Sequence, residues 1–249
     1  MEMNIHKAAT KNKLGEEAAR TGAQKIRDAI LRQGKANVIV ATGASQFEML
    51  SHLTNENEID WTKVTGFHLD EYVGIPINHS ASFRLYLWQR FVSKLPVPIK
   101  SFHFIDAEKN PKNECIRLGS IIKEVQIDVA FIGIGENSHI AFNDPPADFE
   151  TNDPYIIVNL DKNCQQQQLS EGWFKSLDEV PNEAISMSVK QIMKSESIIC
   201  SVPDERKASA VSETVTGEVT PSCPASILQN HPDCSLFLDS QSASAINAN

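Results

Sequence analysis

Three stretches of this sequence place titratable, polar and glycine residues directly after an apolar run. The longest is Gly133-Ile134-Gly135-Glu136-Asn137-Ser138-His139-Ile140-Ala141-Phe142-Asn143-Asp144-Pro145-Pro146. An imidazole exchanges its proton near neutrality, with an ordinary pKa of ~6.5. His139 is flanked there by Asn137 and Asp144, in a loop shaped by glycine and proline. That pattern fits a proton shuttle, and it fits a structural histidine equally well. The second stretch is His68-Leu69-Asp70-Glu71-Tyr72-Val73-Gly74. Two adjacent carboxylates at a strand end have no evident packing role, and alternation sets His68 and Asp70 on one side and Glu71 on the other. A carboxylate in a partly dry crevice is a general base. A solvated surface turn, or a metal site without a second ligand cluster, are the competing readings. The third stretch is Ala41-Thr42-Gly43-Ala44-Ser45, between a strand and a helix. Glycine there lets the backbone approach an anion, a helix start offers free N–H groups, and the Thr42 and Ser45 hydroxyls add donors. An ordinary turn with a serine cap uses the same residues, and the GxxxxGK[ST] spacing of a Walker loop is absent.

The elements around these stretches follow from apolar periodicity. Leu14, Ala18, Gly22, Ile26 and Ile30 recur every four residues, which predicts an amphipathic helix ending near Gly34. Val38–Ala41, Val64–Leu69, Phe102–Ile105 and Asp128–Ile134 read as strands, the last most strongly. Further strands are expected at Tyr155–Leu160, Ile185–Val189, Ser197–Val202 and Ser235–Leu238. Helices are expected around Phe47–Leu53, around Phe83–Phe91, from Asn110-Pro111 through Ile122, and from Asp204 to about Thr216. Alternation of this kind implies an α/β fold: a single-domain, modified Rossmann-like arrangement with a mostly parallel sheet and helices on both faces. Ligands of such sheets bind beyond the carboxyl ends of the strands, where all three polar stretches fall.

Composition narrows the partners. The chain has 249 residues, 41% hydrophobic and 22% charged, with a net charge of -9. An acidic surface repels a nucleic-acid backbone, while a small anion can still be held locally. No apolar run reaches the roughly 20 residues of a membrane span, and the polar opening does not read as a signal peptide. Five scattered cysteines without a CxxC pair fit reduced thiols in a cytoplasmic protein, with no disulfide framework and no zinc site.

At the polar stretches the sequence resembles a known family. Leu69-Asp70-Glu71-Tyr72-Val73-Gly74-Ile75-Pro76 followed by His79-Ser80-Ala81-Ser82-Phe83 is similar to the DEYVGLP…HP-S-[YF] signature of glucosamine-6-phosphate deaminases. Gly133–Pro145 resembles their G-x-G-x-[DN]-G-H-I-A-F-N-E-P segment, and Thr42–Ser45 their phosphate loop. Asp204-Glu205-Arg206-Lys207-Ala208 looks like the stretch that carries a phosphate-binding lysine, and Ser226–Pro232 like a later family segment. The likeness runs from about Val38 to Asp239 in the family's order. It implies that Asp70 moves a proton between C1 and C2 of an open-chain sugar. It implies that His139 opens the sugar ring with help from Asn137 and Asp144, and that Thr42, Gly43, Ala44, Ser45 and Lys207 hold the phosphate. The implied reaction turns glucosamine 6-phosphate and water into fructose 6-phosphate and ammonia, with no metal or organic cofactor and with a homo-oligomer possible. A 6-phosphogluconolactonase-like hydrolase and a non-catalytic sugar-phosphate sensor are the rival readings. A sensor of the transcription-regulator kind would carry a helix-turn-helix, where this chain opens with one amphipathic helix.

Several positions depart from the family pattern. Asn137 replaces an aspartate of some members, so the charge opposite His139 must come from Glu136 or Asp144. Ser138 stands for a glycine, Asp144 for a glutamate, and Ala44 lacks a hydroxyl. The family's lid is expected at residues 162–181, with Gln165–Gln168 and Trp173-Phe174 as closing residues and Gln165 standing in for a phosphate-binding arginine. Regulated members place Ser and Arg/Lys residues just after the histidine segment to form an allosteric phosphate site. Ala147–Tyr155 contains no basic residue here. An N-acetylated amino sugar phosphate is therefore expected not to activate the protein. Steady-state rates with and without that ligand check this, and a measurable rise would overturn it.

Overall fold

The computed structural model describes residues 3–160, 162–170 and 172–246. Strands β1 (Asn4–Lys7), β2 (Ala36–Val40), β3 (Val64–His68), β5 (Ser101–His103), β6 (Val129–Ile132), β9 (Ser197–Val202) and β10 (Cys234–Leu238) form a seven-stranded sheet in the order β1-β10-β9-β6-β2-β3-β5. Every pairing in it is parallel. Strands β4 (Asp70–Tyr72), β7 (Tyr155–Asn159) and β8 (Glu183–Met187) form a second, antiparallel sheet in the order β4-β8-β7.

The inner strands of the large sheet are buried on both faces, which is why they read as continuous apolar runs. Val38, Val40, Val129 and Phe131 pack against α1 (Lys11–Gln33), α2 (Phe47–Leu53) and α3 (Phe83–Arg90). Ile39, Ala130 and Ile132 face α4 (Pro111–Ile122), α7 (Ala208–Thr216) and the small sheet. Two short helices complete the chain, α5 (Lys162–Ser170) and α6 (Val189–Ile192).

Helix α1 begins where the Thr10 hydroxyl accepts from Lys13 N and ends at Gly34, whose φ of 75° is left-handed and suits glycine. Its buried stripe includes Leu14, Ala18, Gly22 and Ile26, as the spacing predicts. In α4 the Asn110 side chain accepts from Asn113 N, and Pro111 takes the first turn.

Three sequence readings need correction. Strand β1 falls in the polar opening, ahead of the helix, and was not foreseen. All four of its residues are exposed, so it carries no apolar alternation. It is held by backbone pairing to β10 and by His6 stacked on Phe237 at 4.5 Å. The strands at Tyr155 and Ile185 belong to the small antiparallel sheet instead of the parallel one. The segment Asp70–Ser80, read as a loop, begins with β4. The chain changes sheets at Leu69, whose carbonyl accepts from Met187 N at 2.9 Å.

Helix α1 lies unusually close to the sheet at Gly22, where an added Cβ would stand 2.2 Å from Phe131 Cε1. Phe131 is fully buried and has no room to yield. We expect Gly22→Ala to destabilise the fold by about 1–3 kcal/mol, despite the better helix propensity of alanine. A lowered urea midpoint with unchanged m-value would show it.

Candidate active site

The carboxyl ends of β2, β3, β6 and β9 open into one cleft of about 690 Å³, its mouth included. Thr42, Gly43, Ala44 and Ser45 form one wall. Gly43 has φ 94°, a value that suits glycine, and its carbonyl accepts from the Tyr86 hydroxyl at 2.8 Å. A single-turn 3-10 segment, Ala44–Gln46, then feeds α2. Fully buried Gln46 ties this loop to the neighbouring strands, donating to Ile132 O at 3.2 Å and to Ser201 O at 3.4 Å. Gly133 faces it closely, since a Cβ there would lie 2.9 Å from Ser45 Oγ and from Gln46 Nε2.

Lys207 comes from the opposite wall, at the entry to α7, and is 6% exposed. Arg206 lines the same wall and pairs with Glu136 at 3.0 Å, joining two loops across the cleft. The cradle thus combines a flexible-backbone turn, two hydroxyls, two helix starts and a lysine, which is equipment for a phosphate.

Asp70 lies in the same cleft, 7% exposed. Its Oδ1 has no hydrogen-bond partner among the described residues. Burial, and next the charge of Glu71, push its carboxyl up to about 8, against a hydrogen bond from Thr42. A carboxylate in this state is a strong base when ionised.

His139 is held by its loop from two sides. Its Nδ1 donates to Asn137 Oδ1 at 2.6 Å and lies 3.3 Å from Asp144 Oδ1. Asn137 Nδ2 in turn donates to Asp144 Oδ1 at 3.0 Å. A proton fixed on Nδ1 leaves Nε2 for exchange. Burial acts to raise the Asp144 carboxyl, but the hydrogen bond and charge of His139, with bonds from Asn137 and Cys164, hold it below its ordinary value. Asp144 therefore supplies the countercharge that Asn137 lacks, and Glu136 is turned to Arg206. Gly135 makes room for the ring, since any Cβ there would sit 2.2 Å from His139 Cε1. Ser138, in place of the family glycine, keeps a left-handed φ of 65°.

The sequence reading thus assembles into one site: Thr42, Gly43, Ala44, Ser45, Asp70, His139 and Lys207 all line the cleft, with Asn137 and Asp144 bonded behind His139. Two neighbours of Asp70 are placed differently from expectation. His68 is fully buried, accepts from Ile105 N at 3.3 Å, and is driven down to about 3 by burial and then by the charge of Arg84. The chain passes from β3 to β4 between the two, so alternation along a single strand does not relate their sides. Glu71 does have a packing role, accepting from the amides of Tyr72, Phe83 and Arg84. Gln165 does not line the cleft. It donates to Asn182 Oδ1 at 3.1 Å, outside the cleft, whereas Gln168 on the same helix lines it. Phe83, Phe142 and Arg206 complete the walls and were not assigned from sequence. Of the closing glutamines expected from sequence, Gln168 is the one on the cleft face, one turn from buried Cys164.

Comparison with known proteins agrees with this geometry. Residues 9–236 match the glucosamine-6-phosphate isomerases/6-phosphogluconolactonase family, and the chain belongs to it. More particularly, it is 36% identical over 241 residues to a glucosamine-6-phosphate deaminase of Clostridium botulinum, covering 95% of this chain and 94% of the relative. It is likewise 36% identical over 231 residues to the deaminase of Oenococcus oeni, covering 93% and 95%. Among solved structures, a monomeric glucosamine-6-phosphate deaminase superposes with a TM-score of 0.87 at 27% identity, over 98% of this chain and 100% of that one. A 6-phosphogluconolactonase from Trypanosoma brucei shares the fold, with a TM-score of 0.79 at 14% identity over 100% and 99%.

A carboxyl raised in this way favours its protonated form in the folded state. The unfolded chain ionises it at its ordinary 3.8, so the penalty is absent well below that value, still small at pH 4, and grows as pH rises towards about 8. Asp70→Asn removes a charge that burial opposes. We expect the variant nearly to match wild type in stability near pH 4 and to exceed it by on the order of 4 kcal/mol at pH 7. Thermal melts across that range check the trend; a variant less stable than wild type at pH 7 would contradict it.

Proposed function

We propose that this chain deaminates and isomerises an amino sugar phosphate, converting glucosamine 6-phosphate and water to fructose 6-phosphate and ammonia. The observation that carries the reading is Asp70: a dry, raised carboxyl in the same cleft as an anion cradle and an oriented histidine. Thr42, Gly43, Ala44, Ser45 and Lys207 anchor the phosphate and so fix the sugar lengthwise. His139, with Nδ1–H committed to Asn137, moves the hydroxyl proton through Nε2 to the ring oxygen and opens the ring. The aldehyde at C1 acidifies the C2 hydrogen. Asp70 removes that proton while a proton of the substrate ammonium passes to O1, giving an enolamine; Asp70 then returns its proton to C1, leaving an iminium at C2. Water adds to C2, the C–N bond breaks, and ammonia leaves with the ketose phosphate. None of these steps calls for a cofactor. Asp144 steadies the imidazolium form of His139 during transfer.

We take residues 1–249 as one such domain, with residues 162–181 as the cover of its site. Phe174 packs edge-on against Tyr72 at 5.2 Å and Trp173 against Tyr86 at 6.2 Å, which supports that assignment.

The decisive assay follows ammonia and ketose phosphate together from glucosamine 6-phosphate and its galactosamine epimer, with 6-phosphogluconolactone as control. Stoichiometric ammonia and fructose 6-phosphate are expected, with no acceleration of lactone hydrolysis. Asp70→Asn is expected to lower kcat by roughly 10³-fold. Below the value of about 8 given by burial and Glu71, kcat/KM is expected to fall about tenfold per pH unit as Asp70 takes up its proton. Lactone hydrolysis without ammonia, or full activity in the variant, would refute the assignment.

A further inference from the structure

Helix α5 contributes a side chain to the cleft that none of the proposed steps uses. Gln168 lines the cleft and is 5% exposed. Its Oε1 accepts from the Tyr72 hydroxyl. Tyr72 is itself fully buried among Phe83, Phe142 and Phe174, with ring centroids at 4.8, 5.2 and 5.2 Å, so that hydroxyl has a fixed position. An amide gripped by its oxygen presents its nitrogen elsewhere, and Gln168 Nε2 bonds no protein acceptor among the described residues. Its two hydrogens are donors available to a molecule in the cleft.

The orientation of α5 indicates which part of such a molecule they meet. Cys164 is one turn earlier on the same helix face, buried, and its thiol hydrogen-bonds Asp144. That face is therefore applied to the end of the cleft where His139 and Asp144 sit. The phosphate end is already served by Lys207 and the Thr42–Ser45 turn. A neutral amide adds no charge to neutralise a phosphate, but it is well suited to an uncharged oxygen.

We infer that Gln168 is a substrate-contacting residue, its Nε2 donating to a hydroxyl oxygen of the sugar carbon chain, with Tyr72 as the positioning residue that holds the amide. This rests on the sugar-phosphate reading above and assigns the uncharged part of that ligand to α5. Gln168 then discriminates a polyhydroxy phosphate from a bare phosphate.

Binding separates this from every other role of α5 without relying on turnover. Calorimetry would measure glucitol 6-phosphate, which has the hydroxyl chain but no carbonyl, and inorganic phosphate, on wild type, Gln168→Met and Tyr72→Phe. Gln168→Met keeps the length and loses the donors; Gln168→Asn serves as the second variant if the first does not fold. We expect wild type to bind the hexitol phosphate more tightly than phosphate. Gln168→Met should weaken the hexitol phosphate roughly 3- to 10-fold and leave phosphate unchanged. Tyr72→Phe should move the same ligand in the same direction, raising KM for the amino sugar phosphate more than it lowers kcat. Retained phosphate binding reports an intact cradle in each variant. Equal loss for both ligands would make Gln168 a phosphate contact and overturn the inference, as would unchanged binding of the hexitol phosphate. If wild type binds neither ligand, the sugar-phosphate reading itself fails and takes this inference with it.

Discussion

Glu71 is fully buried, and both of its carboxylate oxygens are occupied. Oε1 accepts from Tyr72 N and Phe83 N at 3.0 and 3.1 Å; Oε2 accepts from Arg84 N at 2.8 Å and from the Ser82 hydroxyl at 3.0 Å. The amides of Phe83 and Arg84 open α3, so a negative group is set against the positive end of that helix. One side chain thereby fastens β4 to α3. Helix α3 then reaches across with Tyr86 to hold the Gly43 carbonyl, so the anion turn is positioned from the same joint. The electrostatic consequence is as important as the geometric one. Burial raises the Glu71 carboxyl although these hydrogen bonds oppose it, and its charge is second only to burial in raising its neighbour Asp70. The adjacent pair divides the labour: Glu71 spends its lone pairs on structure, and Asp70 keeps its own for a ligand.

Two carboxyls of this region, Asp70 and Asp144, are shifted in opposite directions. Asp70 sits in a dry place beside a like charge and is pushed up. Asp144 is also buried, but contacts with His139, Asn137 and Cys164 pull it down. Separated values of this kind let neighbouring carboxyls act differently at one pH, one as a base and one as a standing countercharge. Asn137 fits between His139 and Asp144 and fixes the orientation of the ring. Its oxygen receives the His139 proton and its nitrogen reaches Asp144, so the amide directs the ring without competing for charge.

Much of this was legible from the sequence because local rules and tertiary packing agree. The four-residue recurrence of Leu14 to Ile26, the Asn110-Pro111 start and the apolar run at Val129 each became the expected element. The strand-end clusters converged because parallel strands end on the same edge. What escaped reading depended on partners distant in the chain. Strand β1 is four exposed residues that exist as a strand only because β10 lies beside them. Glu71 looked like half of a solvated pair until Phe83 and Arg84, more than ten residues on, brought their amides to it. Gln165 and Gln168 are identical in type and differ only by the face of α5 they occupy, which a glutamine-rich tract cannot reveal.

The backbone and the unpaired oxygens of the cleft point to the same kind of occupant. Ser138 and Ala141 hold positive φ values of 65° and 53° on either side of the histidine, and Asp204 holds 80° ahead of Lys207. Left-handed geometry in residues other than glycine costs roughly 1 kcal/mol each, and it persists here where surrounding contacts enforce it. Asp70 Oδ1 and Asp144 Oδ2 are buried acceptors without hydrogen-bond partners among the described residues. Buried acceptors that no protein donor reaches are suited to donors brought by a ligand. A ligand that brings hydroxyl or ammonium donors satisfies them, whereas one that brings only negative charge does not. The cleft therefore asks for a molecule that is anionic at one end and rich in donors along the rest, which is the chemical character of an amino sugar phosphate.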